Sequence, residues 1–114
     1  MDRKSKGILA EQLAQDHYKN HGYEILEANY RHHRAEVDFI ALNEQESLLV
    51  FVEVKKRSRS DFGDPETFVS ENQVGLIKEA AEAYILGINW NKDIRFDIVA
   101  VDSDNCLEVF EDAF

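Results

Sequence analysis

The chain has 114 residues, 44% of them hydrophobic and 32% charged, a composition that suits one globular domain with a single modest core. No stretch approaches the roughly 18 apolar residues of a membrane span. The opening Met1-Asp2-Arg3-Lys4-Ser5-Lys6-Gly7 lacks the apolar run of a signal peptide, so no membrane partner is expected. The single cysteine, Cys106, excludes an internal disulfide and a Cys-rich zinc site; it is expected to be a buried or half-buried thiol, in a reducing cytoplasm.

The net charge of -10 argues against a globally basic nucleic-acid binder. The charge is unevenly spread, however. Residues 1–60 carry ten Lys/Arg against ten Asp/Glu, and residues 61–114 carry three against thirteen. The first half holds local basic clusters at Arg3-Lys4-x-Lys6, Arg31-His32-His33-Arg34 and Lys55-Lys56-Arg57-x-Arg59. A basic face on an acidic body is compatible with this distribution.

In chain order, Ser5 is expected to cap a helix that runs to about Asn20, where His21-Gly22 ends it. Ala10, Leu13, Ala14, His17 and Tyr18 form its apolar stripe, with Glu11 beside them. Most helical glutamates are solvated, and the pattern alone does not single Glu11 out. Tyr23 to Tyr30 reads as a first strand and Glu36 to Leu42 as a second. After the polar turn at 43–47, Leu48 to Lys55 is a third, its leading apolar run marking it as central. The short turn makes strands two and three an antiparallel hairpin and sets Asp38 nearly opposite Val52 and Glu53.

Lys56 to Glu66 reads as a loop with turn chemistry at Ser60 to Pro65. A second helix is expected from Ser70, its cap, to Leu86, with Gly87 as its stop. Val74, Ile77, Ala80, Ala81, Tyr84 and Ile85 form its apolar face. This connection is long enough for a parallel crossover. A fourth strand, Ile94 to Val101, and a short fifth, Leu107 to Phe110, complete an α-β-β-β-α-β-β order.

Chemistry concentrates at the end of the third strand. Side chains alternate faces, so Glu53 and Lys55 point the same way, about 7 Å apart along the strand. Asp38 adds a second carboxylate at the same end of the hairpin, although an outward-facing charge on an alternating strand is its plain alternative. An oxygen-rich cluster of this kind suits Mg²⁺ or Mn²⁺. Such an ion activates water and neutralises charge building on a phosphate, while Lys55 would orient that water or stabilise the transition state. His17, His21, His32 and His33 have no zinc-site spacing and read as surface residues.

The pattern Asp38 … Glu53-Val54-Lys55 resembles the PD-(D/E)xK nuclease superfamily. Over nearly its full length the chain resembles the YraN family of small bacterial proteins. The matching segments are Ala10-Glu11-x-x-Ala14, Gly22-Tyr23-x-Ile25-Leu26-x-x-Asn29-Tyr30-Arg31, Glu36 to Ala41, Val50 to Lys55 with Arg57, Phe62-Gly63-x-Pro65-Glu66, Arg95-Phe96-Asp97 and Ala113-Phe114. The resemblance implies an α/β restriction-endonuclease-like core, α-β-β-β-α-β, with a central mixed sheet between helices. It also implies that Glu11, Asp38 and Glu53 converge on a metal with Lys55 beside them; similar sites occur in archaeal Holliday-junction resolvases. Ala10 and Ala35 stand where the family usually has glycine, Asn72 where it has lysine at the start of the second helix, and Val109 where it has histidine.

The function so implied is that of a divalent-metal-dependent endonuclease or nuclease-like protein hydrolysing phosphodiester bonds in nucleic acid, DNA being expected before RNA and branched DNA included. Arg31, Arg34, Lys56, Arg57 and Arg59 are candidates for backbone phosphate contacts, which set position rather than sequence. A chain this small is expected to need a second protomer to span a duplex, a homodimer being the simplest arrangement. The rival reading is a non-catalytic nucleic-acid-binding module that retains the fold.

Overall fold

The computed structural model describes residues 3–57 and 69–114, with side chains described from Ile8. Its elements are α1 (Arg3–Asn20), β1 (Glu24–His32), β2 (Ala35–Asn43), β3 (Leu48–Lys56), α2 (Glu71–Ile88), β4 (Asp93–Val101) and β5 (Leu107–Phe110). The expected order is present, with β5 added at the edge of the α-β-β-β-α-β core. Arg59, the Ser60 to Pro65 turn and the Phe62 to Glu66 motif lie outside the described residues.

The helix ends follow local chemistry, with two departures from expectation. Helix α1 is already formed at Arg3, so Ser5 lies inside it rather than capping it. It closes where His21 N and Gly22 N donate back to Tyr18 O and Lys19 O, with Gly22 at φ +86° in the left-handed region that glycine tolerates. Ser70 does cap α2, its hydroxyl accepting from Gln73 N at 3.1 Å. The helix runs through Gly87 and ends instead at Asn89, which takes φ 55° and donates to the carbonyls of Ile85 and Leu86. Asparagine tolerates that conformation well enough to serve as the stop.

The strands form one five-stranded sheet in the order β1-β2-β3-β4-β5. Among the described residues only the β3–β4 pair is parallel, joined by the crossover through α2. Alternation along the strands splits the core into two layers. Val50, Val52, Val99 and Val101 meet Ala10, Ala14 and Tyr18 of α1, with Phe39 and Ala41. Ile40, Leu49 and Phe51 meet Ile77, Ala80 and Ala81 of α2. Each large apolar side chain so buried contributes about 1.5–3 kcal/mol.

Among the described residues, one charged residue is completely buried in the first layer. Asp97 accepts from Tyr18 Oη at 2.6 Å, from Arg95 Nε and Nη2 at 2.8 Å each, and from Asp112 N at 3.1 Å. Arg95 also donates to Tyr23 Oη at 3.3 Å. Burial and the Asp97 charge push the Tyr18 phenol well above its usual range. Cys106, by contrast, is exposed rather than buried. It follows the β4–β5 turn, where its N–H donates to Asp102 Oδ1 at 3.0 Å and its side chain is left at the rim.

Candidate functional site

The alternation that sends Val50, Val52 and Val54 toward α1 sends Leu49, Phe51, Glu53 and Lys55 toward α2. Glu53 is thereby carried into the second layer, only 8% exposed. Lys55 shares its face, with Nζ 3.7 Å from Glu53 Oε1. Ile98 and Ala100, their register partners on β4, are fully buried, so the site is dry on that side.

Asp38 is placed by a break in the sheet. The β2–β3 ladder runs from Asn43↔Leu48 to Phe39↔Val52 and stops. The next partners would be Asp38 and Glu53. Instead, Asp38 Oδ2 accepts the N–H of Val54 at 2.7 Å, so a side chain takes the place of the next ladder bond. The alternation of β2 breaks at the same point: Val37 joins the α2 layer and Phe39 the α1 layer. On β1, Asn29 takes φ 55°, and it is passed over in the register between Ala28↔Phe39 and Tyr30↔Val37. Asp38 therefore sits in the fork between diverging strands, within reach of both layers. Glu53 approaches from the α2 side and Glu11 of α1 from the other, each near enough to influence the Asp38 carboxyl.

The electrostatics follow from this crowding. Burial raises the Glu53 carboxyl to about 8, with the Asp38 charge adding to the rise and Lys55 opposing it. Burial likewise raises Glu11 to about 7, again helped by Asp38. Asp38 is itself raised by burial, against the pull of the Val54 N–H and of the two neighbouring carboxyls. Three carboxyls face one ammonium, so the cluster relieves its charge by keeping protons.

Its donor set is entirely oxygen, the kind that hard divalent cations take. Among the described residues, no group of three or more His, Cys, Asp or Glu side chains is placed so that it could hold a metal ion. A cation would have to draw the carboxylates inward. The fit lies in the donor chemistry and the missing positive charge.

Glu53 thus lies beside Lys55, and Glu11 and Glu53 both lie near Asp38. The basic candidates divide. Arg31 Nη2 is 3.4 Å from Glu36 Oε2, and Arg57 pairs with Glu108, so both guanidiniums are already engaged. Arg34 is exposed at the β1–β2 turn, and Lys56 is exposed at the end of β3. Arg59 lies outside the described residues.

Two further residues belong to the site. Gln73 of α2 donates from Nε2 to Glu53 Oε1 at 3.2 Å. Glu36, two residues before Asp38, adds a charge that raises all three carboxyls. The alternation of β2 hints at Glu36, whereas Gln73 lies 20 residues from Glu53 and carries no local signal.

The molecule is thus a small α/β protein with a carboxylate cluster and a lysine at a fork in its sheet. The chain belongs to the uncharacterised protein family UPF0102, the YraN family, whose profile matches residues 10–101. It is 42% identical over 101 residues to a UPF0102 protein of Cytophaga hutchinsonii, spanning 89% of this chain and 88% of the relative. UPF0102 proteins of Flavobacterium psychrophilum and Flavobacterium johnsoniae are each 40% identical, over 95% of this chain and 92% of theirs.

Proposed function

We propose that this protein is a divalent-metal-dependent nuclease hydrolysing phosphodiester bonds in DNA, with the restriction-endonuclease-like architecture of PD-(D/E)xK enzymes. The observation that carries this reading is the fork itself. A backbone ladder bond is given up so that Asp38 meets Glu53 and Glu11 beside Lys55. In this reading Asp38 and Glu53 hold Mg²⁺ or Mn²⁺, and Glu11 adds a direct or water-mediated contact. Once bound there, the ion supplies neutralisation of the phosphodiester and a lowered pKa for water.

The residues of the chain do the rest. Lys55, 28% exposed at its side chain, faces solvent beyond Glu53 and is placed to hold the nucleophilic water or a phosphate oxygen. Arg34 and Lys56 offer backbone contacts that set position. For Arg31 to join them it would leave Glu36, an exposed pair worth about 0–1 kcal/mol, and Arg57 would leave Glu108. A homodimer would widen the surface offered to a duplex.

The test is cleavage of labelled linear, single-stranded and four-way-junction DNA with Mg²⁺ or Mn²⁺, against EDTA and D38A. Metal-dependent cutting by the parent chain alone is the expected result. Binding without cutting would assign the fold to a grip on nucleic acid, and the absence of both would remove nucleic acid from the reading.

A further inference from the structure

Helix α2 opens with Ser70-Glu71-Asn72-Gln73, the spacing of a capping box. In that motif the cap hydroxyl accepts the backbone N–H three residues on, and the glutamine there reaches back to the cap. The first half is present, with Ser70 Oγ accepting from Gln73 N at 3.1 Å. The amide nitrogen of Gln73, however, crosses to β3 and donates to Glu53 Oε1 at 3.2 Å. The same oxygen lies 3.7 Å from Lys55 Nζ.

We propose that Gln73 is a positioning residue for the metal site: it holds Glu53 Oε1 so that the other oxygen is presented toward Asp38 and a divalent cation. This inference rests on the metal-dependent reading above. The chemistry of the amide makes it suitable. It offers its NH₂, the donor end of the amide, to the Glu53 oxygen. It donates without bringing a charge, so it steadies Glu53 without competing with a cation as a second ammonium would. It shares Glu53 Oε1 with Lys55, so the two donors together fix where that oxygen lies. Capping alone explains none of this, because Ser70 already supplies the cap.

The experiment is a Mn²⁺ titration of the full chain, followed by calorimetry and by the thermal unfolding midpoint, for the parent, Q73A, Q73L and S70A. Q73L keeps side-chain bulk where alanine compromises folding. Loss of an outer partner of a metal ligand typically costs about 10–100-fold in affinity. Q73A and Q73L are expected to bind Mn²⁺ about 10-fold more weakly, whereas S70A unfolds at a lower temperature and keeps the parent affinity. Parent-like Mn²⁺ affinity in both Gln73 variants overturns the role of Gln73 and leaves the metal reading standing. A parent chain that binds no Mn²⁺ overturns the metal reading, and this inference falls with it.

Discussion

Two buried carboxylates lie on opposite faces of the same sheet and meet opposite treatment. Asp97, toward α1, receives four donor contacts, two of them from the Arg95 guanidinium. Its charge is neutralised where it stands. Glu53, toward α2, has a neutral amide and a lysine at 3.7 Å, with the charges of Asp38 and Glu36 acting on it. Burying a charge is costly unless it is paired and hydrogen-bonded. The fold meets that cost in full at Asp97 and leaves it partly unmet at Glu53. The first arrangement neutralises its carboxylate; the second leaves a carboxyl raised to about 8.

That contrast can be broken at either end. D97A should be the most damaging single change, because it strands Arg95 and the Tyr18 hydroxyl in a closed layer. Removing one partner of a buried ion pair costs about 3–5 kcal/mol, read as a drop in urea-unfolding free energy. D38N should do the reverse. It keeps an acceptor for the Val54 N–H and removes a charge from the cluster, so the thermal midpoint in EDTA should rise, as at functional sites that trade stability for activity. Mn²⁺-dependent cleavage by the same variant should fall at least about 100-fold, the upper end of what outer-partner changes cost.

Acidity sharpens the comparison further. In the folded chain Glu53 and Glu11 are raised from 4.5 to about 8 and about 7. The folded state therefore holds more protons than the unfolded state between those limits, so stability should fall as pH rises from about 4.5 to about 8. Thermal midpoints in EDTA should trace that fall, and Mn²⁺ should flatten it by replacing the protons. S70A should have the smallest effect, about 1 kcal/mol of lost capping, with no change in the pH trend.

Much of the architecture was legible because periodicity reports burial directly. The apolar run of β3, Leu48 to Val52, has no polar interruption and had to be central. The 43–47 turn then set which end of the hairpin Asp38 and Glu53 share. Where the expectation failed, the competing choice was local and nearly equal in energy. Asn89 rather than Gly87 ends α2, since both residues tolerate the left-handed conformation. Cys106 lies on the rim, since nothing in its neighbourhood says which way a short edge strand turns.

Element order, the two layers and the shared face of Glu53 and Lys55 can all be read along the chain, because alternation in a strand and turn length in a hairpin are local properties. Two features came only with the assembled fold: strands β2 and β3 part at Asp38, and Gln73 turns from its own helix to Glu53. A third, Glu11 reaching the fork from the opposite layer, was implied by the family resemblance alone and not by the residue pattern. Each joins residues far apart in the chain. Their meeting depends on how helices dock on a twisted sheet, and no spacing in the sequence encodes that distance.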